Sequence, residues 1–437
     1  EKVQKQEPDK NGRDGVYGLN KEQEEAVLST AAKIAVKAGP GTGKTKTLVS
    51  RLRYLLEYRR VHPGEITAVT FTNQAAEEMK ERIRQQTGKK QTVRQIQIGT
   101  FHGICLRFLK DQGETFILAG EAEQQKIAQE AVRQTGADIS VSEFRQWVSH
   151  KKSGVDLESV QMNDSRTEIC RRVFPVYEKR KQELGMLDFD DLLLRTVERI
   201  REGCVREGWE KSFRYLLVDE FQDISPVQYQ LVRLWSQGGR ELFVIGDPDQ
   251  SIYGFRGADG ACFEHLKEEE PELKVIRLRE NYRSSPQILN AAFAVITEGE
   301  EKQEKIEERR LHANCKDQEP VRVVRTSGPM AEGIFIAKEI NRMAGVIGML
   351  EAHQTAWERE GKKVRSFDEI AVLCRTHHQA ELVEKCLKTE SIPYITAGRE
   401  DYLKAETVKN SLAFFRSIEY EGDEAAWELC AEYFWKL

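Results

Sequence analysis

Residues 38–45, AGPGTGKT, have the residue types of a phosphate-binding loop. They fit the pattern G-x-x-x-x-G-K-[ST], except that alanine replaces the first glycine. Gly41 and Gly43 let backbone N–H groups approach phosphate oxygens, because a side chain at either position would obstruct that approach. Lys44 supplies positive charge to the β- and γ-phosphates, and the hydroxyl of Thr45 is a ligand for Mg²⁺. The segment predicts a site for a nucleoside triphosphate.

A pair of adjacent carboxylates follows a second apolar segment, YLLVDEFQD, at residues 215–223. Asp219 is expected to hold Mg²⁺ through its water shell, and Glu220 to position and activate the water that attacks the γ-phosphate. In open α/β sheets, the ends of such strands are where ligands bind. The tandem acid predicts hydrolysis of the nucleotide rather than its storage.

The elements around these residues alternate between short apolar and amphipathic segments, which predicts a parallel, doubly wound α/β sheet. IAVKA precedes the phosphate-binding loop and KTLVSRLRYLLEY follows it, so a helix N-terminus faces the phosphates. Residues 114–200 are helical in character and predict an inserted helical subdomain. The charged residues 298–310, EGEEKQEKIEERR, are interpreted as a solvated helix or linker. Beyond them, VRVVRT, EIAVLCRT and IPYITAG predict strands that begin a second α/β domain.

The bulk properties limit the class of protein. A chain of 437 residues predicts two to four domains, and 39% hydrophobic with 32% charged residues is typical of a globular protein with a solvated surface. The net charge of −5 gives no general attraction to nucleic acid, so such binding requires a local groove. No apolar run approaches the roughly 18 residues of a membrane span. The eight cysteines include no C-x-x-C pair. These features predict a cytoplasmic location, reduced cysteines and no membrane partner.

The motifs together resemble those of the UvrD/Rep/PcrA-type DNA helicases of superfamily 1. DEFQD resembles the family's motif II, and the remaining segments follow in the family's order. They are LNKEQ (19–23, Q motif), TFTNQAAEEMKERI (70–83, motif Ia), GTFHG (99–103, motif Ib), LDFDDLL (187–193, end of the inserted subdomain 1B), VIGDPDQSIYGFRGAD (244–259, motif III), LRENYRSSPQIL (278–289, motif IV) and RTHHQAELVEKCLKTESIPYITAG (375–398, early domain 2A).

This resemblance implies a RecA-like P-loop NTPase with an inserted helical subdomain and an incomplete second RecA-like domain. Residues 1–16 are expected to be a flexible lead-in, 17–113 and 201–290 to form domain 1A, 114–200 subdomain 1B, and 291–437 the start of domain 2A. Motifs V and VI are not found; EERRL, at 307–311, resembles the opening of motif VI but is interpreted as a coincidence in a charged linker. Because an arginine from motif VI is worth ~10³ or more in phosphoryl transfer, we expect this chain alone to hydrolyse ATP slowly and not to unwind duplex DNA.

For the nucleotide, the resemblance implies that Gln23 binds the adenine edge, Tyr282 stacks on the base, Gln250 senses the γ-phosphate and Arg283 stabilises its charge. At Lys46 the family usually has arginine; lysine cannot stack as a plane, so base discrimination is expected to differ. The catalytic residues are then Lys44, Glu220, Gln250 and Arg283; the ATP-binding residues are Gln23, Gly39, Gly41, Thr42, Gly43, Lys44, Thr45, Lys46, Tyr282 and Arg283; and the Mg²⁺ ligands are Thr45 and Asp219.

For DNA, the resemblance implies binding of single strands and of junctions between single and double strands. Phe71, Tyr253 and Phe255 match positions where the family stacks aromatic rings on bases, although Phe255 replaces the usual tryptophan. Stacking of this kind is worth roughly 1–3 kcal/mol per base and is indifferent to sequence. The remaining DNA-binding candidates are Thr72, Asn73, Thr100, His102 and Arg256.

The function that the resemblance implies is an ATP-dependent 3′–5′ DNA helicase or translocase. Two alternatives stay open at this point. One is the helicase part of an AddA/RecB-like recombination nuclease, which shares these motifs. The other is a non-motor ATP-binding module. The sequence does not indicate protein partners.

Overall fold

The computed structural model describes residues 16–88, 90–155, 164–203, 205–206, 208–298, 303–316, 319–345, 364–396, 406–419, 426–427 and 430–435. The expected lead-in, residues 1–16, lies almost entirely outside them. Contacts divide the chain into two compact units, Glu1–Val321 and Arg322–Leu437.

The strands of the described residues are β1 (Lys33–Ala38), β2 (Ile66–Thr70), β3 (Gln97–Thr100), β4 (Ile117–Leu118), β5 (Met186–Leu187), β6 (Tyr215–Val218), β7 (Glu241–Gly246), β8 (Lys274–Leu278), β9 (Glu280–Asn281) and β10 (His312–Ala313). The helices of the first unit are α1 (Lys21–Leu28), α2 (Lys44–Glu57), α3 (Asn73–Thr87), α4 (Lys90–Gln95), α5 (Phe101–Asp111), α6 (Glu121–Thr135), α7 (Val141–Lys152), α8 (Asp164–Glu183), α9 (Phe189–Arg201), α10 (Trp209–Ser212), α11 (Pro226–Ser236), α12 (Cys262–Glu269), α13 (Pro286–Ile296) and α14 (Gln303–Arg309). Those of the second unit are α15 (Pro329–Met343), α16 (His377–Thr389) and α17 (Glu406–Glu419), followed by a π-helical turn at Ala431–Trp435.

Six strands form one parallel sheet in the order β3-β2-β6-β7-β1-β8. Every residue of β2, β6 and β7 is buried. Strands that are buried along their whole length suit a parallel sheet, because helices cover both of its faces. The prediction of a parallel α/β sheet is confirmed.

Two apolar cores lie on opposite faces of this sheet. One contains Phe108 of α5, Leu192 of α9 and Leu231 of α11. The other contains Leu48 of α2 and Met79 of α3. Because both faces are packed, the loops that follow the carboxyl ends of the strands form a rigid edge on which polar side chains can be placed.

The helices between β4 and β5 have a core of their own. Phe144 and Trp147 of α7 pack there with Ile127 of α6 and Tyr177 of α8. β4 and β5 pair in parallel and join the two ends of this helical subdomain.

In the second unit, α15 and α16 pack through Ala337, Ile340, Val383 and Leu387. The strands predicted from VRVVRT, EIAVLCRT and IPYITAG are not found in their described residues. Val323, Leu373 and Ile395 are 90%, 95% and 89% exposed. A strand needs a neighbour for its backbone N–H and C=O groups, and the described residues of this unit provide none.

Candidate functional site

The phosphate-binding loop runs from the end of β1 to the start of α2. Gly41 and Gly43 have φ angles of 69° and 84°, which side chains rarely adopt. Thr42 is buried and its hydroxyl donates to the carbonyl oxygen of Gly39 at 2.7 Å. Lys44 and Thr45 occupy the first turn of α2, where the helix dipole favours an anion. The loop therefore has the geometry of a phosphate site.

The adjacent carboxylates Asp219 and Glu220 lie directly after β6, and Glu220 Oε2 is 3.8 Å from Lys44 Nζ. Glu220 adopts a left-handed conformation (φ 46°), a strained geometry that recurs at functional sites. The pKa of Asp219 is raised to about 6. Burial and the neighbouring Glu220 raise it, and the opposing effect of Lys44 is smaller. The structure thus brings together Lys44, Asp219 and Glu220, three of the charged side chains that are expected to take part in hydrolysis.

A hydrogen-bonded network links this carboxylate pair to the loop after β7. The buried Gln222 donates to Glu220 Oε2 at 2.9 Å and accepts from the backbone N–H of Asp247 at 2.9 Å. Asp247 in turn accepts from the side-chain amide of Gln250 at 2.6 Å. Gln250, the expected γ-phosphate sensor, is therefore joined to the expected catalytic base through two intervening residues, Gln222 and Asp247.

The adenine-side candidates surround the phosphate-binding loop. Gln23 is buried, and its side-chain amide donates to the carbonyl oxygen of Thr42 at 2.8 Å. Its side-chain oxygen accepts from the backbone N–H of Asn20. Lys46 donates to the carbonyl oxygen of Gly18 at 2.5 Å. The hydroxyl of Tyr282 accepts from the Asn20 amide at 2.9 Å. The structure groups these residues, but Gln23 and Lys46 bond to the protein's own backbone, so their contacts with adenine stay a prediction.

Motif IV lies against the same loop. The N–H of Tyr282 donates to the carbonyl oxygen of Gly41 at 2.9 Å, and the ring of Tyr282 is half-exposed. The N–H of Arg283 donates to Asn281 Oδ1 at 2.9 Å. Gly41 lies so close to Arg283 that a Cβ added to the glycine would be 2.6 Å from that of Arg283. Arg283 is therefore beside the expected phosphate position.

The segment that contains EERRL contacts the phosphate-binding loop and the loop that follows β7. Arg309, at the end of α14, forms an ion pair with Asp249, the neighbour of Gln250. The side chain of Leu311 packs on Gly39. The sequence predicts a solvated helix or linker for residues 298–310; residues 303–309 are helical, and Arg309 and Leu311 also contact the loops that follow β7 and β1.

An aromatic face lies beside the ATP-site residues, where the loops after β2 and β7 meet. The rings of Phe71 and Tyr253 are 5.2 Å apart, and those of Tyr253 and Phe255 are 6.0 Å apart. Phe255 is 64% exposed. Arg256 ends the turn Gly254–Arg256, but its side chain lies outside the described residues. The three rings that the sequence predicted for base stacking are adjacent in the structure.

A cavity of about 540 Å³ opens next to this face. Its lining includes Thr72, Thr100 and His102, three of the predicted DNA-binding residues. The hydroxyls of Thr72 and Thr100 cap the N-termini of α3 and α5, so both also have a structural role. Burial lowers the pKa of His102 and so favours its neutral form. Asn73 is the exposed first residue of α3.

Several residues that organise the site escaped the sequence interpretation. Asn20 forms a capping box with Gln23, which was predicted, and the spacing N-x-x-Q is the signal for it. Asn281 adjoins Tyr282 in motif IV but has no sequence signal for its contact with the phosphate-binding loop. Asp190 lies in LDFDDLL and lines the cavity. Burial and the nearby Asp188 raise its pKa to about 6.

A parallel α/β sheet with a glycine-rich loop before a helix, and a lysine facing a carboxylate that follows another strand of the same sheet, defines a P-loop NTPase of the RecA-like class. The family models define the group further. Residues 19–271 match the UvrD/REP helicase N-terminal domain, and residues 276–435 match the UvrD-like helicase C-terminal domain. The chain therefore belongs to the UvrD/REP helicase family, and the resemblance inferred from its motifs is confirmed.

Relatives of known name are similar along most of the chain. It is 32% identical over 425 residues to the ATP-dependent DNA helicase PcrA of Staphylococcus epidermidis, covering 94% of this chain and 55% of the relative. It is 31% identical over 422 residues to the protein of the same name from Staphylococcus aureus, covering 93% and 54%. The chain thus spans about half the length of these relatives. Among the described residues, no helix has the length and apolar character needed to cross a membrane.

Proposed function

We propose that this chain is the ATP-binding part of an ATP-dependent DNA helicase or translocase that moves 3′ to 5′ along single-stranded DNA. The observation that carries the proposal is the pairing of Lys44 with Glu220 at the edge of the sheet, 3.8 Å apart. A phosphate-binding lysine next to a strained carboxylate is the arrangement needed to hold a triphosphate and to activate water against it. The names of the relatives support the same activity.

Each residue then has a role in the reaction. Lys44 and the loop N–H groups bind the phosphates, and Glu220 orients the attacking water and accepts its proton. Gln250 reports the γ-phosphate to the aromatic face, since its loop continues into Tyr253 and Phe255. Those rings stack on unpaired bases, and stacking that ignores base identity suits a motor that passes every base.

Mg²⁺ fits the donor set at this edge. Asp219 and Glu220 are adjacent carboxylates, and the pKa of Asp219 is raised by burial and by Glu220, so a divalent cation would relieve their repulsion. Thr45 supplies the hydroxyl that such sites use in the first turn after the loop. When bound, Mg²⁺ neutralises charge on the β- and γ-phosphates.

The test is Glu220→Gln in this chain. ATP hydrolysis, measured with single-stranded DNA present, should fall by about 10²–10⁴, because a positioned base contributes that much. Binding of a fluorescent ATP analogue should persist. The exposed Glu272→Gln is the control and should change neither value. Wild-type hydrolysis by Glu220→Gln would contradict the proposal, and it would also leave the non-motor alternative standing.

Polarity and substrate need a separate measurement. A moving motor displaces streptavidin from a biotinylated oligonucleotide only at the end towards which it travels. We expect ATP-dependent displacement from the 5′ end and little from the 3′ end. Junction substrates should bind at least as tightly as single strands. The slow turnover expected of this chain alone remains a prediction, and it calls for single-turnover conditions in the hydrolysis assay and for excess ATP in the displacement assay.

A further inference from the structure

The end of α7 lies between the helical subdomain and the loop that carries Tyr253 and Phe255. His150 is 7% exposed, and its Nε2 is 2.9 Å from the backbone carbonyl oxygen of Phe255. A carbonyl oxygen only accepts, so Nε2 carries the hydrogen and donates it. This bond joins residues 105 positions apart in the chain.

Two further contacts hold the residues that follow α7: one is with the start of α11 and the other is with the loop that carries Phe255. The carbonyl oxygen of Ser153 accepts from the N–H of Val227, the second residue of α11, at 3.1 Å. Gly257, just after Phe255, has a φ of 86°, and a Cβ there would be 3.2 Å from that of Ser153 and 2.9 Å from a Val155 methyl. The loop is thus in close contact with the residues that follow α7.

The other side of α7 is held by a buried ion cluster. Lys152 Nζ lies 2.7 Å from Asp188, 2.6 Å from Asp191 and 2.8 Å from Glu178. Burial disfavours the ammonium charge, but the three carboxylates outweigh it and raise the pKa of Lys152. This cluster fixes the end of α7 to α8 and α9, so His150 has a rigid base from which to hold the loop.

We propose that His150 is a positioning residue for DNA binding: its bond to the Phe255 carbonyl holds the Phe255 ring in the row begun by Phe71 and Tyr253. The inference rests on the proposed role of these rings in binding single-stranded DNA. The ring itself is mostly exposed, so its direction depends on its backbone. His150 does not touch DNA in this scheme, and its effect passes through Phe255.

The test replaces His150 by two residues of equal length that differ in one property. His150→Gln keeps an N–H donor near the position of Nε2, whereas His150→Met does not. Affinity for a fluorescein-labelled oligothymidylate, measured by anisotropy with the full chain, should fall about tenfold in His150→Met. The variant loses one buried hydrogen bond, and the Phe255 ring is then held less firmly. His150→Gln should recover most of this loss. Binding of a fluorescent ATP analogue should be unchanged in both, which a general loss of folding would not allow.

Ser142→Ala, on the exposed part of α7, is the matched control and should bind DNA as the wild type does. The route through the ring is tested with Phe255→Ala, alone and combined with His150→Met. The single Phe255→Ala should weaken binding, and the added His150→Met should change it less than twofold. A full tenfold further loss in the double variant would overturn the positioning role, as would equal binding by His150→Met and His150→Gln.

Failure of the underlying DNA proposal has a different signature. If Phe255→Ala binds the oligonucleotide as tightly as the wild type, the ring is not part of the DNA site, and both the aromatic face and the role of His150 are refuted. If Phe255→Ala is weak while His150→Met binds normally, the aromatic face stands and only the positioning role is refuted.

Discussion

Asn281, buried at the end of β9, donates a hydrogen bond from its side-chain amide to the carbonyl oxygen of Pro40 in the phosphate-binding loop. Its side-chain oxygen accepts from the N–H groups of Arg283 at 2.9 Å and Ser284 at 2.7 Å. One amide thus fixes the phosphate-binding loop and motif IV relative to each other. Motif IV supplies Arg283, so the position of this arginine relative to the phosphate-binding loop depends on Asn281.

Asn281→Ala is therefore expected to weaken ATP binding about tenfold. The substitution leaves a buried carbonyl and two N–H groups to find new partners, and each lost bond of this kind costs on the order of 1 kcal/mol. Titration with a fluorescent ATP analogue measures the effect. Asn314→Ala is the control. Asn314 is exposed, and among the described residues its side chain is hydrogen-bonded only to Glu280. Unchanged affinity in Asn281→Ala would show that the loop keeps its shape without this bond.

Gly41→Ala is expected to reduce ATP affinity by about 100-fold or more. The φ of 69° disfavours any side chain, and the new Cβ would be 2.6 Å from that of Arg283, so the loop or motif IV must move. Gly88→Ala separates these causes, because Gly88 has a φ of 66° but no atom within 4 Å of an added Cβ. That control should lose about 1 kcal/mol of stability and bind ATP normally. Similar ATP affinities for the two variants would contradict the steric argument.

The residues that form the phosphate-binding loop and the carboxylate pair were predictable from the sequence, because the expected chemistry restricts their type. A backbone that approaches an anion needs glycine, and a hydrolytic site needs a carboxylate after a strand, so Gly41 and Glu220 could be predicted as site residues without a structure, and their roles stay predictions. The residues that hold them were not found. Asn281 reaches Pro40 across 241 positions, and a polar side chain with such a distant partner has no local pattern. The strands expected near Val323 and Leu373 show the reverse error, since an apolar pattern forms a strand only beside a neighbour.

Arg51 is expected to be among the most important residues for stability. It is fully buried on α2, with its Nη2 2.7 Å from Glu241 Oε2 at the start of β7, and it also donates to the carbonyl oxygens of Val27 and Ser29. Arg51→Met leaves Glu241 buried without this partner, in surroundings where burial already raises its pKa. The free energy of unfolding should fall by about 3–5 kcal/mol in urea denaturation. Lys80→Ala, which breaks the exposed pair with Glu77, should change the free energy of unfolding far less, because water screens such a pair. A comparably small loss in Arg51→Met would refute this assignment.

Asp190 makes stability depend on pH with a definite sign. Its pKa in the folded protein is about 6, raised first by burial and then by Asp188, against about 3.9 in an unfolded chain. The folded state therefore holds the proton more tightly, so this group favours folding below about pH 4, and that contribution is lost as the pH rises to 6. Asp190→Asn removes the charge, and at pH 7.5 it should raise the free energy of unfolding by about 1–3 kcal/mol.

Urea denaturation at pH 7.5 and at pH 4.5 checks this assignment. The gain from Asp190→Asn should be largest at pH 7.5 and shrink towards pH 4.5, where the wild-type carboxyl is mostly protonated in the folded protein. The exposed Asp138→Asn is the control and should show no such trend. An equal gain at both pH values would mean that lost charge is not its cause.

Asp190 also lines the cavity beside the aromatic face. Asp190→Asn should therefore bind oligothymidylate more tightly at pH 7.5, because it removes one negative charge that would repel the phosphates of the oligonucleotide.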